Sequence, residues 1–244
     1  MVRDWLAGGM PEVCVAIADE QTSGRGREGR SWLAPPGGAL LLSLGFRPTW
    51  LPPERAWRLA AIVSLAMADA AETACGLVAA TIRLKWPNDL VVEDGGGIRK
   101  IAGVLGESDG LGTDDPRVVI GIGLNGDWPR AAFPAEFADS MTSLRDIAAR
   151  PIDHDALLGR FLERLEPHVR DLREGRFDGA GWSSRQVTTE RDVDLIGADG
   201  SRTTVRASGV DTESGALVVG GRRVLVGEIA HVRLTAPIAA RSGV

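Results

Sequence analysis

The chain has 244 residues, enough for one sizeable core plus a smaller appendage, and its 44% hydrophobic and 25% charged content is ordinary for a soluble globular protein. A formal net charge of −5 argues against a general nucleic-acid binder, and no apolar run reaches the roughly 20 residues that span a bilayer. Cys14 and Cys75 read as buried free thiols, the first residues lack a signal-peptide core, and His154, His168 and His231 are too scattered for a metal site, so a cytoplasmic protein without a metal centre is expected.

In chain order, a short helix ends at Gly8 and Gly9, and residues 13–18 read as a buried strand. A glycine- and arginine-rich loop follows, then a second apolar strand over 39–46. Residues 54–75, rich in Ala and Leu and closed by Gly76, predict a core-packing helix. Strands are predicted over 81–84, 90–92, 99–107 and 118–125, with Trp86 in the core and Pro87, Asn88 and Asp89 turning the chain between the first two. Helices over 143–149 and 153–174 carry Ser143 and Asp153 as caps, and 177–184 reads as a connector. From Arg191 onward only short strands separated by glycine turns remain, the spacing of a small β-barrel of about 50 residues. The expected fold is α+β: a mainly antiparallel or mixed sheet with helices on one face (residues 1–187), followed by the barrel (residues 188–237).

The chemistry concentrates in a few places. GRGREGRSW, Gly24 to Trp32, combines three glycines, which admit close backbone approach, with the forked donors of Arg25, Arg27 and Arg30. Opposed only by Glu28, it carries net +2 in an acidic chain, which suits either a lid over a small anionic ligand or a solvated loop. The chain has 26 arginines but only two lysines, Lys85 and Lys100, and only two asparagines, Asn88 and Asn125. All four fall between residues 85 and 125, as expected where an ammonium or an amide is needed against a coding bias that removes them elsewhere. Gln21 precedes the loop, Asp89 lies a rigid turn from Lys85, and Gly121 and Gly123 inside a strand suggest close approach of a ligand.

GRGREGRSW, KWPNDL, RKIAGVLGE and GIGLN stand in this order and resemble the biotin protein ligases, the biotin–[biotin carboxyl carrier protein] ligases, and the terminal strands are similar to that family's SH3-like barrel. The resemblance implies an ATP-dependent enzyme that condenses biotin with ATP to biotinyl-5′-AMP and passes biotin to a lysine of a carrier protein. It implies biotin contacts from Gln21, Gly24, Arg25, Arg27, Lys100 and Gly103. Nucleotide contacts are implied for Arg30, Trp32, Lys85, Asn88, Asn125 and Arg233, with Glu228 beside Arg233. Catalytic roles fall to Arg27, Lys85, Lys100 and Asp89, with Mg²⁺ assisting. Asp89 either orients or deprotonates the acceptor lysine, or is a turn residue. No P-loop is present, so the nucleotide is held differently from P-loop enzymes. The resemblance is to the ligase-only class, acting without DNA or membrane as a monomer or homodimer. A Ser-Xaa-Thr-Asn segment usual ahead of the first helix is not in this sequence, so biotin is expected to bind weakly relative to a longer chain. A non-catalytic biotin-binding protein and a lipoate or octanoate transferase are the alternatives.

Overall fold

Alternation within the strands decides the architecture. The structure, a computed structural model, describes residues 1–94, 97–197, 199–226 and 231–234. In chain order the strands of the main sheet are β1 (Cys14–Ala18), β4 (Ala39–Phe46), β5 (Ile82–Lys85), β6 (Asp89–Asp94), β7 (Gly97–Asp109) and β8 (Arg117–Asn125), with β2 (Gly24–Arg25) and β3 (Ser31–Trp32) forming a separate small hairpin. The sheet runs β1-β4-β8-β7-β6-β5, antiparallel throughout. Leu40, Leu42, Leu44 and Phe46 of β4 join Val118, Ile120, Ile122 and Leu124 of β8 in the main core. Period-two geometry turns Leu41, Ser43, Gly121 and Gly123 to the opposite face.

The long helices close one face. α2 (Trp57–Cys75) stops at Gly76, whose φ of 68° is the left-handed cap that glycine supplies cheaply. It packs on α4 (His154–Arg173) and on β5, β7 and β8. α3 (Leu144–Ala148) and α4 start as expected: the Ser143 side chain accepts from the Asp146 amide and the Asp153 carboxylate from the Ala156 amide. The short α1 (Val2–Ala7) covers one end of the opposite face through Val2 and Leu6, which pack with Cys14. The rest of that face is left to the β2–β3 hairpin.

The C-terminal strands β9 (Arg191–Ile196), β10 (Arg202–Val210), β11 (Leu217–Val219), β12 (Arg222–Val224) and β13 (His231–Leu234) form a five-stranded sheet in the order β12-β11-β10-β9-β13. Where a barrel was expected, β12 and β13 are not paired among the described residues. This sheet docks through polar contacts to two indoles: buried Trp86 Nε1 donates to the Gly215 carbonyl (2.9 Å) and half-buried Trp57 Nε1 to that of Glu213 (3.3 Å). Trp86 is thus a core residue, as expected.

Three local expectations are corrected. Residues 13–18 form an edge strand, not a buried one: β1 pairs only with β4, and Ile17 is 54% exposed. The connector over 177–184 holds a helix, α5 (Gly179–Ser184), because Asp178 accepts from the Gly181 amide and caps it. Cys14 is buried, but Cys75 is only half-buried.

Candidate active site

The cavity floor follows from register. Leu41 pairs with Gly123, Gly123 with Gly103, Gly103 with Asp89 and Asp89 with Lys85, so these residues form one row across five strands. Two adjacent glycines in the middle of the row, Gly103 and Gly123, leave the sheet without side chains there, open to the close approach that the position of Gly123 suggested. A cavity of about 820 Å³ lies over this floor, walled by the β2–β3 hairpin.

Lys100 reaches the cavity through an irregularity. The β6–β7 register shifts between Leu90 and Val91, which pair with Ala102 and Lys100. A bulge of this kind re-aims a side chain. Ile101 and Ala102 are both fully buried as consecutive residues, which strict alternation would forbid, and Lys100 is released to the other side. Its backbone is fixed by the following segment: Lys100 N–H donates to the Ser140 carbonyl and its own carbonyl accepts from Thr142 N–H (both 2.9 Å).

The expected loop is a folded hairpin. Gly24 pairs with Trp32 and Arg25 with Ser31. A Cβ at Gly24 would lie 2.4 Å from the Trp32 carbonyl oxygen, so the pairing requires glycine there. The tip turns through Glu28 (φ 54°) and Gly29 (φ 70°). Trp32 lays its indole on the two-glycine floor, 2.5 Å from where a Gly123 Cβ would stand, with the Lys100 ammonium 5.5 Å from the ring centroid. Its buried Nε1 has no hydrogen-bond partner. Arg27 donates to the Val226 carbonyl (2.8 Å), tying the hairpin tip to the C-terminal sheet, and burial lowers its pKa. Arg25 makes a two-pronged ion pair with Glu107 (3.0 and 2.9 Å), which Arg3 joins at 3.2 Å.

The two lysines meet at one carboxylate. Lys100 Nζ is 2.6 Å from Asp89 Oδ1 and Lys85 Nζ is 3.6 Å from Asp89 Oδ2. They serve different spaces: Lys100 lines the wide cavity, whereas Lys85 lines a second, narrow cavity of about 240 Å³ on the other side of Asp89.

Comparison with known proteins adds the lineage. Residues 4–125 match the model of the biotin/lipoate A/B protein ligase family. The chain is 32% identical over 223 residues to a biotin–[acetyl-CoA-carboxylase] ligase of Mycobacterium tuberculosis, covering 90% of this chain and 79% of that one. It belongs to the biotin/lipoate A/B protein ligase family. The solved structure of a biotin protein ligase from Aquifex aeolicus in complex with biotin and ATP superposes with a TM-score of 0.74 at 27% identity, over 91% of this chain and 89% of that one. A bifunctional ligase/repressor of Bacillus subtilis is 32% identical over 161 residues, but this chain spans only 47% of its length.

Against this ligase family's expected residues, the structure gathers Gln21, Arg25, Arg27, Arg30, Trp32, Asn88, Asp89, Lys100 and Gly103 around the wide cavity. Gly24 lines an adjoining cleft within the hairpin. Three expected residues stand elsewhere. Lys85 is in the narrow cavity. Asn125 lines neither cavity: it is buried, and its Nδ2 donates to the Thr142 carbonyl (3.0 Å), which secures the segment that grips Lys100. Arg233 is an exposed residue of β13 paired in register with Asp194. Glu228 lies outside the described residues. Sequence reasoning missed Ser43, Leu105, Glu107 and Met141, which also line the wide cavity. Counting alternate residues outward from Gly123 across the sheet would have found the first two.

Burial lowers the Lys85 pKa, with Asp89 opposing the shift and Lys100 adding to it. The charged form is therefore disfavoured in the folded chain. That cost is complete below the lowered value and fades as pH rises through it toward the ordinary lysine value. Replacing Lys85 with methionine is expected to raise the melting temperature by about 2–4 °C at neutral pH, because a buried charge gives way to an apolar chain while Asp89 keeps Lys100. Thermal melts of the two proteins check it; a lower melting temperature contradicts it.

Proposed function

We propose that this chain is an ATP-dependent biotin protein ligase. It activates biotin to biotinyl-5′-AMP and transfers biotin to a lysine of a biotin carboxyl carrier protein in the cytoplasm. Residues 1–187 serve as the catalytic unit and 188–237 as the C-terminal module. The observation that carries this reading is the convergence of Arg27, Lys100, Asn88 and Asp89 on a glycine floor in one cavity. The named activities of the relatives support it.

The first step joins two anions. A biotin carboxylate oxygen bonds to the α-phosphorus while the bond to pyrophosphate breaks. Catalysis then consists of alignment and of fixed positive charge where negative charge gathers. Lys100 and Arg27 supply that charge from opposite walls, with Arg25 and Arg30 in the hairpin above, and Gly103 and Gly123 let a flat group lie on the sheet. Trp32 covers the same floor, so substrate entry requires its indole to shift and to stack beside the nucleotide. In the second step the carrier lysine attacks the anhydride. A carboxylate between two ammonium groups is a weak proton acceptor, so Asp89 acts by orienting rather than by deprotonating. Mg²⁺ enters this reading as the counter-ion of the triphosphate. Among the described residues no cluster of three or more His, Cys, Asp or Glu is placed to hold a metal, and both Asp89 oxygens face lysines. The described residues therefore offer no cage of their own for the ion.

Pyrophosphate release from ATP that requires biotin, followed by transfer of labelled biotin to a carrier domain, tests the proposal. A chain that releases no pyrophosphate under these conditions is not a ligase. Glu107→Gln is expected to loosen the hairpin by removing the counter-charge of Arg25. The pair is partly exposed and worth well under 1.5 kcal/mol, so the KM for biotin should rise about 2- to 5-fold with kcat nearly unchanged. Initial rates over a biotin titration decide it.

A further inference from the structure

The narrow cavity is separate from the wide one in character and joined to it at one place. Arg27, Asn88, Asp89, Val104 and Leu105 line both. Beyond that junction the narrow cavity is walled by Ala60 and Ser64 of α2, by Trp57 and Trp182, and by Gln186. Gln186 is only 3% exposed, and its Oε1 has no hydrogen-bond partner. Among the described residues that oxygen is an unpaired buried acceptor in the wall of a mostly apolar slot.

We infer that the narrow cavity is the channel by which the acceptor lysine reaches the activated acyl group, with Ala60, Ser64 and Gln186 as its positioning residues. This inference rests on the ligase reading. Size favours it: about 240 Å³ is room for some eight waters, ample for the four methylenes and one nitrogen of a lysine side chain, whereas biotin and a nucleotide together need the 820 Å³ space. Chemistry favours it too. The slot offers apolar walls for the methylenes, the Gln186 side chain on its wall, and the Asp89 carboxylate at its inner end. Charge completes the argument. An ammonium would share the junction with Lys85 and Arg27, so the incoming group is pressed to give up its proton to water and arrive as the neutral amine that the reaction needs. Burial already lowers the pKa of Lys85 in the same slot. The neutral nitrogen then forms the C–N bond and the acyl–phosphate C–O bond breaks. AMP leaves with that electron pair, and the new amide releases one proton to water. The competing occupant, the nucleotide base, is disfavoured because the indoles here are engaged already: Trp57 packs on Trp182 at 4.8 Å and donates to Glu213, and Trp86 donates to Gly215.

The test separates the two half-reactions. Ala60→Leu fills the slot from a half-buried position, and Gln186→Met removes the free acceptor while keeping length. Each variant is compared with the parent chain in three assays. These are pyrophosphate release with biotin and ATP, capture of the adenylate by hydroxylamine, and single-turnover transfer to a carrier domain. The expected result is unchanged pyrophosphate release and hydroxylamine capture, with transfer to the carrier slowed at least 10-fold in Ala60→Leu and about 3- to 10-fold in Gln186→Met. Transfer at the parent rate in both variants overturns the channel. A raised KM for ATP with slowed pyrophosphate release overturns it in favour of the nucleotide base. A parent chain that releases no pyrophosphate removes the ligase reading and the channel with it, a result distinct from either of the others.

Discussion

Replacing Lys100 with alanine is expected to lower the rate of biotin-dependent pyrophosphate release by about 10²–10³-fold, the usual cost of removing one preorganised donor from a site of developing negative charge. The substitution removes the side chain beyond Cβ. The backbone stays in place because the Ser140 carbonyl and the Thr142 amide hold both sides of the residue, and Asn125 fixes that segment in turn. Loss of the ammonium removes the closer of the two lysine contacts of Asp89 and leaves that of Lys85 at 3.6 Å, so the wide cavity loses a positive charge where two anions must meet. Arginine should not restore activity. A Cβ at Gly103 would already lie 3.1 Å from the Lys100 nitrogen, and the indole of Trp32 closes the other side, so the planar guanidinium has no room. The effect should fall on kcat, since it concerns charge that grows in the transition state. Pyrophosphate release at saturating biotin and ATP measures it. A Lys100→Ala protein within 3-fold of the parent would mean that Lys100 does not face the reacting atoms.

The sequence reading reached some of this site and not the rest, for identifiable reasons. Elements with regular periodicity, such as β8 and α4, were legible because their burial follows one face, and β4 was legible as an unbroken apolar run. The isolation of two lysines and two asparagines in an arginine-rich chain marked a segment of which Lys85, Asn88 and Lys100 line the two cavities and Asn125 does not. What composition cannot express is which way a side chain points after a register shift. Lys100 and Ile101 are neighbours, and only the bulge opposite Leu90 and Val91 decides which of them enters the core. The division of labour between Lys85 and Lys100 is likewise a matter of three dimensions, since both stand near Asp89 but open onto different spaces. The hairpin pairing of Gly24 with Trp32 was hidden because two-residue strands carry no periodic signal. Edge position was hidden too: β1 is as apolar as an interior strand, yet only one of its sides is paired.

Asp89→Asn should show the converse of Lys85→Met. Asparagine preserves the turn and the strand start but removes the charge on which both lysines rest. Lys85, whose side chain is only 14% exposed, then remains buried beside Lys100 with no carboxylate between them. Leaving one member of a buried pair behind is destabilising, here by about 2 kcal/mol, or roughly 4–8 °C in melting temperature for a chain of this size. Removing the buried ammonium raises stability and removing its counter-charge lowers it, and this opposition of sign is specific to a charge held in a dry setting. A surface pair would give small changes in both variants. The pH dependence follows from the lowered pKa of Lys85. In Asp89→Asn the cost shrinks as pH rises and the amine loses its proton, so the gap in melting temperature to the parent should narrow from neutral to alkaline pH. Function should suffer more than the fold. Asp89 stands where the two cavities join, so its loss is expected to slow transfer to the carrier by about 10²–10³-fold. Melting curves at neutral and alkaline pH, taken with single-turnover transfer, measure both effects. A stability gap that widens with pH would place the uncompensated charge on a group other than Lys85.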